Sequence, residues 1–266
     1  MRKVFLGVCA ALVALAVFTP AAMSAPWYDD FESYAQNAPV PNPPWQPGTL
    51  GGLNVSQEYA GQGHNALGYY GYAPNQICKC SFRPITVTKA GSVSAMIRWA
   101  TGGDTRFGLF TGKQGGSIGE ARDYTDSAFF DLYATDGTVT PKKLVGNLYE
   151  GGTHPYGAGA VRRFVDSGTD TIAKDVWTDV KLSWTADFKT FTYEYKPVSS
   201  GTWKLLGTMS RTTPAPFVYV GCSAGGVNYG MIDTVRFSEV PEPSSLVALC
   251  VGLTALCGSV RRFRRR

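Results

Sequence analysis

From residue 92 onward, apolar and polar positions alternate along the chain. Val93, Ala95, Ile97 and Trp99 fall on one parity, with Ser94 and Arg98 on the other. Val176, Thr178, Val180, Leu182 and Trp184 share a parity opposed by Asp179, Lys181 and Ser183. Phe191, Tyr193 and Tyr195 alternate with Thr192, Glu194 and Lys196. A period of two belongs to a strand with one face buried, not to a helix. Turn residues punctuate the runs. Ser199-Ser200-Gly201 leads into 202–207 and predicts a hairpin, and Asp136-Gly137 follows the stretch 129–134. Two last strands are predicted over 217–222 and 231–237. With no long helical period and no internal repeat, the pattern predicts an all-β fold, an antiparallel β-sandwich of jelly-roll type, over residues 25–240.

The two ends break this pattern. Arg2 and Lys3 precede an unbroken apolar run from Val4 to Phe18, then Pro20 and the small residues Ala21, Ala22, Ser24 and Ala25. This is the layout of a secretory signal peptide, expected to be removed after Ser24 by signal peptidase. At the other end Pro241-Glu242-Pro243 is followed by an apolar stretch over 244–260 and by Arg261, Arg262, Arg264, Arg265 and Arg266. That stretch is marginal for a bilayer span. The arginines would stay cytoplasmic and leave the body on the far side of the membrane.

This tripartite tail resembles the PEP-CTERM sorting signal. The resemblance implies handling by an exosortase at Pro241, Glu242 and Pro243, transient anchoring in the membrane through 244–260, and a bacterium that makes extracellular polysaccharide. The expected location is then the cell surface or the extracellular space.

Charge follows the same division. The chain has 266 residues, 25 Lys and Arg, 20 Asp and Glu, and a formal net charge of +5. Seven of the basic residues lie in the ends, so 25–240 carries 18 basic against 19 acidic residues. A near-neutral body has no electrostatic footprint for nucleic acid.

Within the body, Asp29-Asp30-Phe31-Glu32-Ser33-Tyr34, His64-Asn65-Ala66-Leu67, Val176-Trp177-Thr178-Asp179-Val180 and Ile232-Asp233-Thr234-Val235-Arg236-Phe237 together resemble a concanavalin A-like lectin/glucanase domain of the laminin-G-like kind. In many such domains the first and last strands meet and hold Ca²⁺. The resemblance therefore implies calcium as a cofactor, held by Asp29, Asp30, Glu32 and Asp233. The alternative is that these carboxylates cap strand ends or pair with Arg236.

Catalytic motifs are not found. Glycoside cleavage needs two carboxylates flanking the scissile bond, and no closely spaced Glu/Asp pair falls on a predicted strand. His64 and His154 sit in Gly-rich segments, and there is no nucleophile elbow, P-loop or dinucleotide fingerprint. Trp99 and Trp184 follow the apolar parity and are expected in the core. Trp45, Tyr69, Tyr70 and Tyr72 lie in Gly/Pro-rich segments and are the expected glycan contacts. Cys78 and Cys80 share a strand parity, and Cys222 follows Val218 and Val220, so a bridge from Cys222 to Cys78 or Cys80 is expected in an oxidising compartment. The sequence therefore points to a non-catalytic, exported sandwich that contacts extracellular polysaccharide. The alternatives are a glycan-cleaving enzyme on the same fold and a structural matrix protein without a small ligand.

Overall fold

The structure, a computed structural model, describes residues 26–48, 52–56, 63, 65–68, 79–99, 103–112, 126–133, 143–151, 161–197, 200–214, 217–226 and 230–239. The strands are β1 (Trp27–Asp29), β2 (Gln46–Pro47), β3 (Asn54–Ser56), β4 (Ala66–Gly68), β5 (Lys79–Pro84), β6 (Gly91–Arg98), β7 (Gly103–Phe110), β8 (Ser127–Tyr133), β9 (Lys143–Glu150), β10 (Val161–Asp166), β11 (Thr178–Trp184), β12 (Thr190–Pro197), β13 (Lys204–Ser210), β14 (Tyr219–Gly226) and β15 (Met231–Glu239). They form two antiparallel sheets. One has eight strands in the order β13-β12-β11-β6-β15-β4-β3, with β1 also on β15; the other has seven, β10-β9-β8-β7-β14-β5-β2. Ala25–Val240 forms a unit of its own. Among the described residues no helix is long and apolar enough to cross a membrane. The expected signal peptide, Pro241, Glu242, Pro243 and the span 244–260 lie outside the described residues.

Alternation decides what faces inward. On β11 the pattern is strictly buried at Thr178, Val180, Leu182 and Trp184 and half-buried between them. On β12 Phe191, Tyr193 and Tyr195 are buried in the same way. These side chains meet Phe107, Phe130 and Leu148 from across the sandwich, and Trp99 just beyond β6 of their own sheet, in one continuous core. Its polar tips are satisfied. Tyr193 donates its hydroxyl to the Asn147 carbonyl at 2.7 Å, and the indoles of Trp99 and Trp184 donate to the carbonyls of Ile172 and Lys89 at 3.0 and 2.7 Å. Gly146 is required here, because a Cβ would lie 2.6 Å from the Tyr193 ring.

The expected bridge between Cys80 and Cys222 is corrected. The two thiols are not bonded to each other. In the β14–β5 register Cys222 lies opposite Ser81, and Cys80 opposite Ser223. Directly opposed residues share a face, so Cys80 and Cys222 point to opposite sides of the seven-stranded sheet. Cys222 sits in the main core, while Cys80 packs with Phe82 on the outward side. Burial, with a smaller push from the Asp29 charge, raises the Cys222 thiol well above its ordinary pKa, which makes it a poor nucleophile. Cys78 lies outside the described residues.

Candidate functional site

The first and last strands do meet: β1 pairs with β15, with Asp29 opposite Val235. Yet the carboxylates do not converge. Asp29 is buried inside the sandwich, and both its oxygens are taken. Oδ1 accepts from the Phe31 amide at 3.1 Å. Oδ2 accepts from Tyr34 Oη at 2.7 Å, Trp45 Nε1 at 2.8 Å and Arg83 Nη1 at 3.2 Å. The Arg83 guanidinium, itself stacked 3.8 Å over the Trp27 ring, supplies the positive charge a metal ion would otherwise bring. Asp30 accepts from the Glu32 amide in the turn. Glu32 Oε1 accepts from the Asn65 amide at 2.8 Å, while Asn65 Nδ2 donates to the carbonyls of Phe31, Glu32 and Tyr34. Asp233 lies opposite Met96 rather than with the inward Phe237, because the β15–β6 register shifts between Asp233 and Arg236. Asp29 and Asp233 therefore lie on opposite faces of the eight-stranded sheet. The residues expected as one calcium site do not fit that role, and among the described residues no group of three His, Cys, Asp or Glu is placed to hold a metal ion.

Trp45 is also corrected as a glycan contact. It is fully buried, edge-on to Trp27 and tilted against Phe31 with centroids 6.2 and 5.9 Å away. Its indole N–H is committed to Asp29. Tyr69, Tyr70 and Tyr72 lie outside the described residues.

Each sheet has one outward face, and the two faces differ. On the seven-stranded sheet a row of rings crosses the strands. Tyr149, Phe129 and Phe110 stack at 5.8 and 5.7 Å, and Phe82 meets Phe110 at 5.8 Å. Gly221 of the intervening β14 lets the last two touch, since a Cβ there would come within 2.5 Å of Phe110 and 2.8 Å of Phe82. Arg106 and Asp131 pair at 3.1 Å beside the row. Although these rings point away from the core, they are all but inaccessible and offer no stacking surface. At the sheet edge Phe164 is exposed, with the Arg162 guanidinium 5.2 Å over its ring.

The outward face of the eight-stranded sheet is polar and open. Asp179 on β11 lies opposite Lys196 on β12, and Lys181 opposite Glu194. The pairs close at 3.0 and 2.6 Å. Trp203, just before β13, is 39% exposed. Lys181 Nζ and Lys196 Nζ lie 5.0 and 5.4 Å from its ring centroid, a cation–π arrangement that restrains the indole. Beside it runs a groove of about 270 Å³ lined by Ser94, Met96, Asp179, Lys196, Trp203, Thr234 and Arg236. Its floor is the irregular part of β15. Thr234 has φ 49°, a left-handed value that is strained for a β-branched residue, and it is buried with Oγ1 lacking any hydrogen-bond partner. The Asp233 carboxylate accepts from the Thr234 amide at 2.6 Å and helps hold this turn of the backbone.

No protein-family model matches the chain, and no curated protein matches it. Solved structures do match in shape. A legume lectin-like domain from Entamoeba histolytica superposes with a TM-score of 0.53 at 11% identity, covering 75% of this chain and 91% of that one. Lectin II from Ulex europaeus gives 0.51 at 13% identity, covering 82% and 100%. The β-glucanase of Bacillus licheniformis gives 0.51 at 16% identity, covering 81% and 99%. The fold is the lectin/glucanase jelly-roll sandwich. At these identities the likeness establishes the fold and not the activity, since that sandwich carries both sugar binders and hydrolases.

Sequence reasoning missed the groove. Trp203 follows the Ser199-Ser200-Gly201 turn and so reads as the start of a strand. The bulge that exposes Thr234 to the groove has no marker, because glycine is not used there. The signal that was available is the run of alternating charges, Asp179, Lys181, Glu194 and Lys196, which fixes the outward face on which Trp203 rests.

Proposed function

We propose that the chain is an exported protein of the cell surface or extracellular matrix whose sandwich contacts glycan and does not cleave it. Signal peptidase and an exosortase would act on its two ends, and the membrane would hold it only before processing. One observation carries the binding reading: an exposed indole, braced by two lysines, beside a groove lined with hydroxyls on a lectin-like sandwich. Flat aromatic rings present apolar area with little conformational entropy to lose. Sugar-binding sites join such a ring to a few placed polar groups. A lectin of this shape has been solved with galactose, and the VIP36 exoplasmic/lumenal domain in a Ca²⁺/Man-bound form, which supports glycan as the ligand class. Calcium is not part of the proposal, since Asp29 is already held by Arg83.

The non-catalytic reading rests on the groove's chemistry. Among the described residues lining it, Asp179 is the single carboxylate, and Lys196 is bonded to it. Cleavage of a glycoside needs a pair. The test is retention of the purified chain on a panel of immobilised neutral and acidic polysaccharides, with reducing-sugar release measured in parallel. Trp203→Ala should lose retention and keep the wild-type melting temperature. Retention unaffected by this change, or sugar release by the wild type, would overturn the proposal.

A further inference from the structure

We infer that the groove on the eight-stranded sheet selects an acidic saccharide, a uronate-containing segment whose sugar ring lies on Trp203 and whose carboxylate meets Arg236. This deepens the glycan reading above and rests on it. The charge count of the groove is the first argument. Lys196 is neutralised by Asp179 at 3.0 Å. Arg236 is exposed and has no acidic partner among the described residues. The groove therefore keeps one positive charge outside any ion pair among the described residues, offset only at longer range by Asp30 and Asp233, which act on the same Tyr28, although the body as a whole is nearly neutral. That charge is a guanidinium, whose planar fork suits a carboxylate better than an ammonium does. Its position is also restrained. Arg236 lies opposite Tyr28 in the β1–β15 ladder, with its guanidinium carbon 5.0 Å from the Tyr28 ring centroid.

The second argument is independent of charge. Thr234 lines the groove and is only 5% exposed, yet its Oγ1 has no hydrogen-bond partner. A buried hydroxyl left unpaired is unfavourable. The strained φ of 49° that presents it persists only because the surrounding structure imposes it. Because Oγ1 is itself closed to solvent, a sugar hydroxyl becomes its missing partner only as the Thr234 side chain turns into the groove, and Ser94 adds a second hydroxyl on the same floor. At about 270 Å³ the groove is near the lower end of ligand-pocket sizes, which fits one or two sugar units of a chain running across an open face.

The experiment is calorimetric titration of the purified chain with trigalacturonate and trimannuronate, each against its methyl ester. The ester keeps the ring and the hydroxyls and removes the charge. At least one acid should bind tenfold or more tightly than its ester, with the preference shrinking as salt is raised. Arg236→Gln should bring the acid down to the affinity of the ester and leave the ester unchanged. Trp203→Ala should abolish binding of both, and Thr234→Val should weaken both severalfold. Melting temperatures of the two exposed variants, Arg236→Gln and Trp203→Ala, should match wild type, which separates lost contact from lost fold. Equal affinity for acid and ester, abolished by Trp203→Ala, would overturn the acidic-saccharide inference while the glycan reading stands. Binding of neither uronate, with neutral polysaccharide still retained in a Trp203-dependent way, has the same consequence. An acidic peptide that displaces the uronate at equal concentration would also overturn it. Absence of all saccharide binding would instead remove the reading on which it rests.

Discussion

Replacing Glu150 with glutamine should remove a pH-dependent part of the fold's stability. The side chain ends β9 and is nearly buried. Its Oε1 accepts from the Thr212 and Thr213 amides at 2.8 and 2.7 Å, from Thr213 Oγ1 at 3.0 Å and from the Thr212 hydroxyl. Its Oε2 accepts from Arg163 Nη1 at 2.8 Å. Burial alone would raise the carboxyl. The hydrogen bonds from Thr212, Thr213 and Arg163 override it and hold the group well below the usual carboxylate range. Glutamine keeps the shape and one acceptor but loses the charge. Hydrogen bonds to a charged group contribute about 1.5–3 kcal/mol each and breaking a buried ion pair costs about 3–5 kcal/mol, so Glu150→Gln should cost about 2–4 kcal/mol at pH 7. A depressed folded pKa means the stabilisation is complete above the unfolded value, about 4.3, and is lost as pH falls toward the folded one. Between about pH 4 and pH 2 the wild type should lose about 1.4 kcal/mol per pH unit that the variant does not lose. Denaturant unfolding followed by tryptophan fluorescence at pH 7, 4 and 2.5 measures the gap. A gap that stays constant over this range would refute the linkage, and one below about 1 kcal/mol at pH 7, an ordinary mutational effect, would refute the structural role.

Four further outcomes follow from the same geometry. Trp45→Phe removes a donor from buried Asp29 and should lower stability by about 1–3 kcal/mol without changing polysaccharide retention; lost retention at unchanged stability would restore Trp45 as a surface contact. Cys222 should react with an alkylating agent only after unfolding, and reductant should leave the melting temperature unchanged; a Cys80–Cys222 cross-linked peptide in a non-reducing digest would contradict the opposed faces. Chelator should leave the melting temperature where it is, because Arg83 already balances Asp29; a fall that Asp233→Asn abolishes would reinstate a calcium site. Mass spectrometry of the native surface protein should recover no peptide from residues 1–24 or beyond about Ser244; an intact Arg261–Arg266 terminus would refute processing of the tail.

Much of the fold was legible because period-two patterning survives wherever one face of a strand is buried. The runs around Val93, Val180 and Tyr193 predicted β6, β11 and β12; buried positions match the apolar parity on β11 and β12, while on β6 Met96 and Arg98 of the opposite parity are buried as well. Short strands were not legible. β1 to β4 are two or three residues each, too short for any period to show. The row Phe82, Phe110, Phe129 and Tyr149 was invisible for another reason: it lies on the outward parity of its strands, so both faces of β7 and β8 carry apolar residues and alternation fades there. The sequence grouped Asp29 and Glu32 with Asp30 and Asp233 rather than with Asn65, although Asp29, Glu32 and Asn65 all fall in the motif segments. Their role is a clamp on the turn at 31–34, where Phe31 is held at φ 61°, and a sequence does not distinguish a carboxylate that binds a backbone amide from one that binds a metal.

The site was illegible because it depends on a broken rule. Extending the parity of Val235 and Phe237 backward turns Asp233 inward. The register shift between Asp233 and Arg236 reverses this, and a one-residue slip transfers every side chain beyond it to the other face. Asp233 thereby leaves the core side, and Thr234, at the irregular point between Asp233 and Arg236, becomes the floor of the groove. The aromatic residues lead to the same place. A sandwich presents two sheet faces to its surroundings, and here the seven-stranded sheet has its outward rings packed against one another and inaccessible. The eight-stranded sheet, paired Lys to Glu and Lys to Asp across its strands, keeps Trp203 open beside an unpaired hydroxyl and an unmatched guanidinium. A ligand that needs a ring to lie on, hydroxyls to bond and a positive charge to meet finds all three on that face.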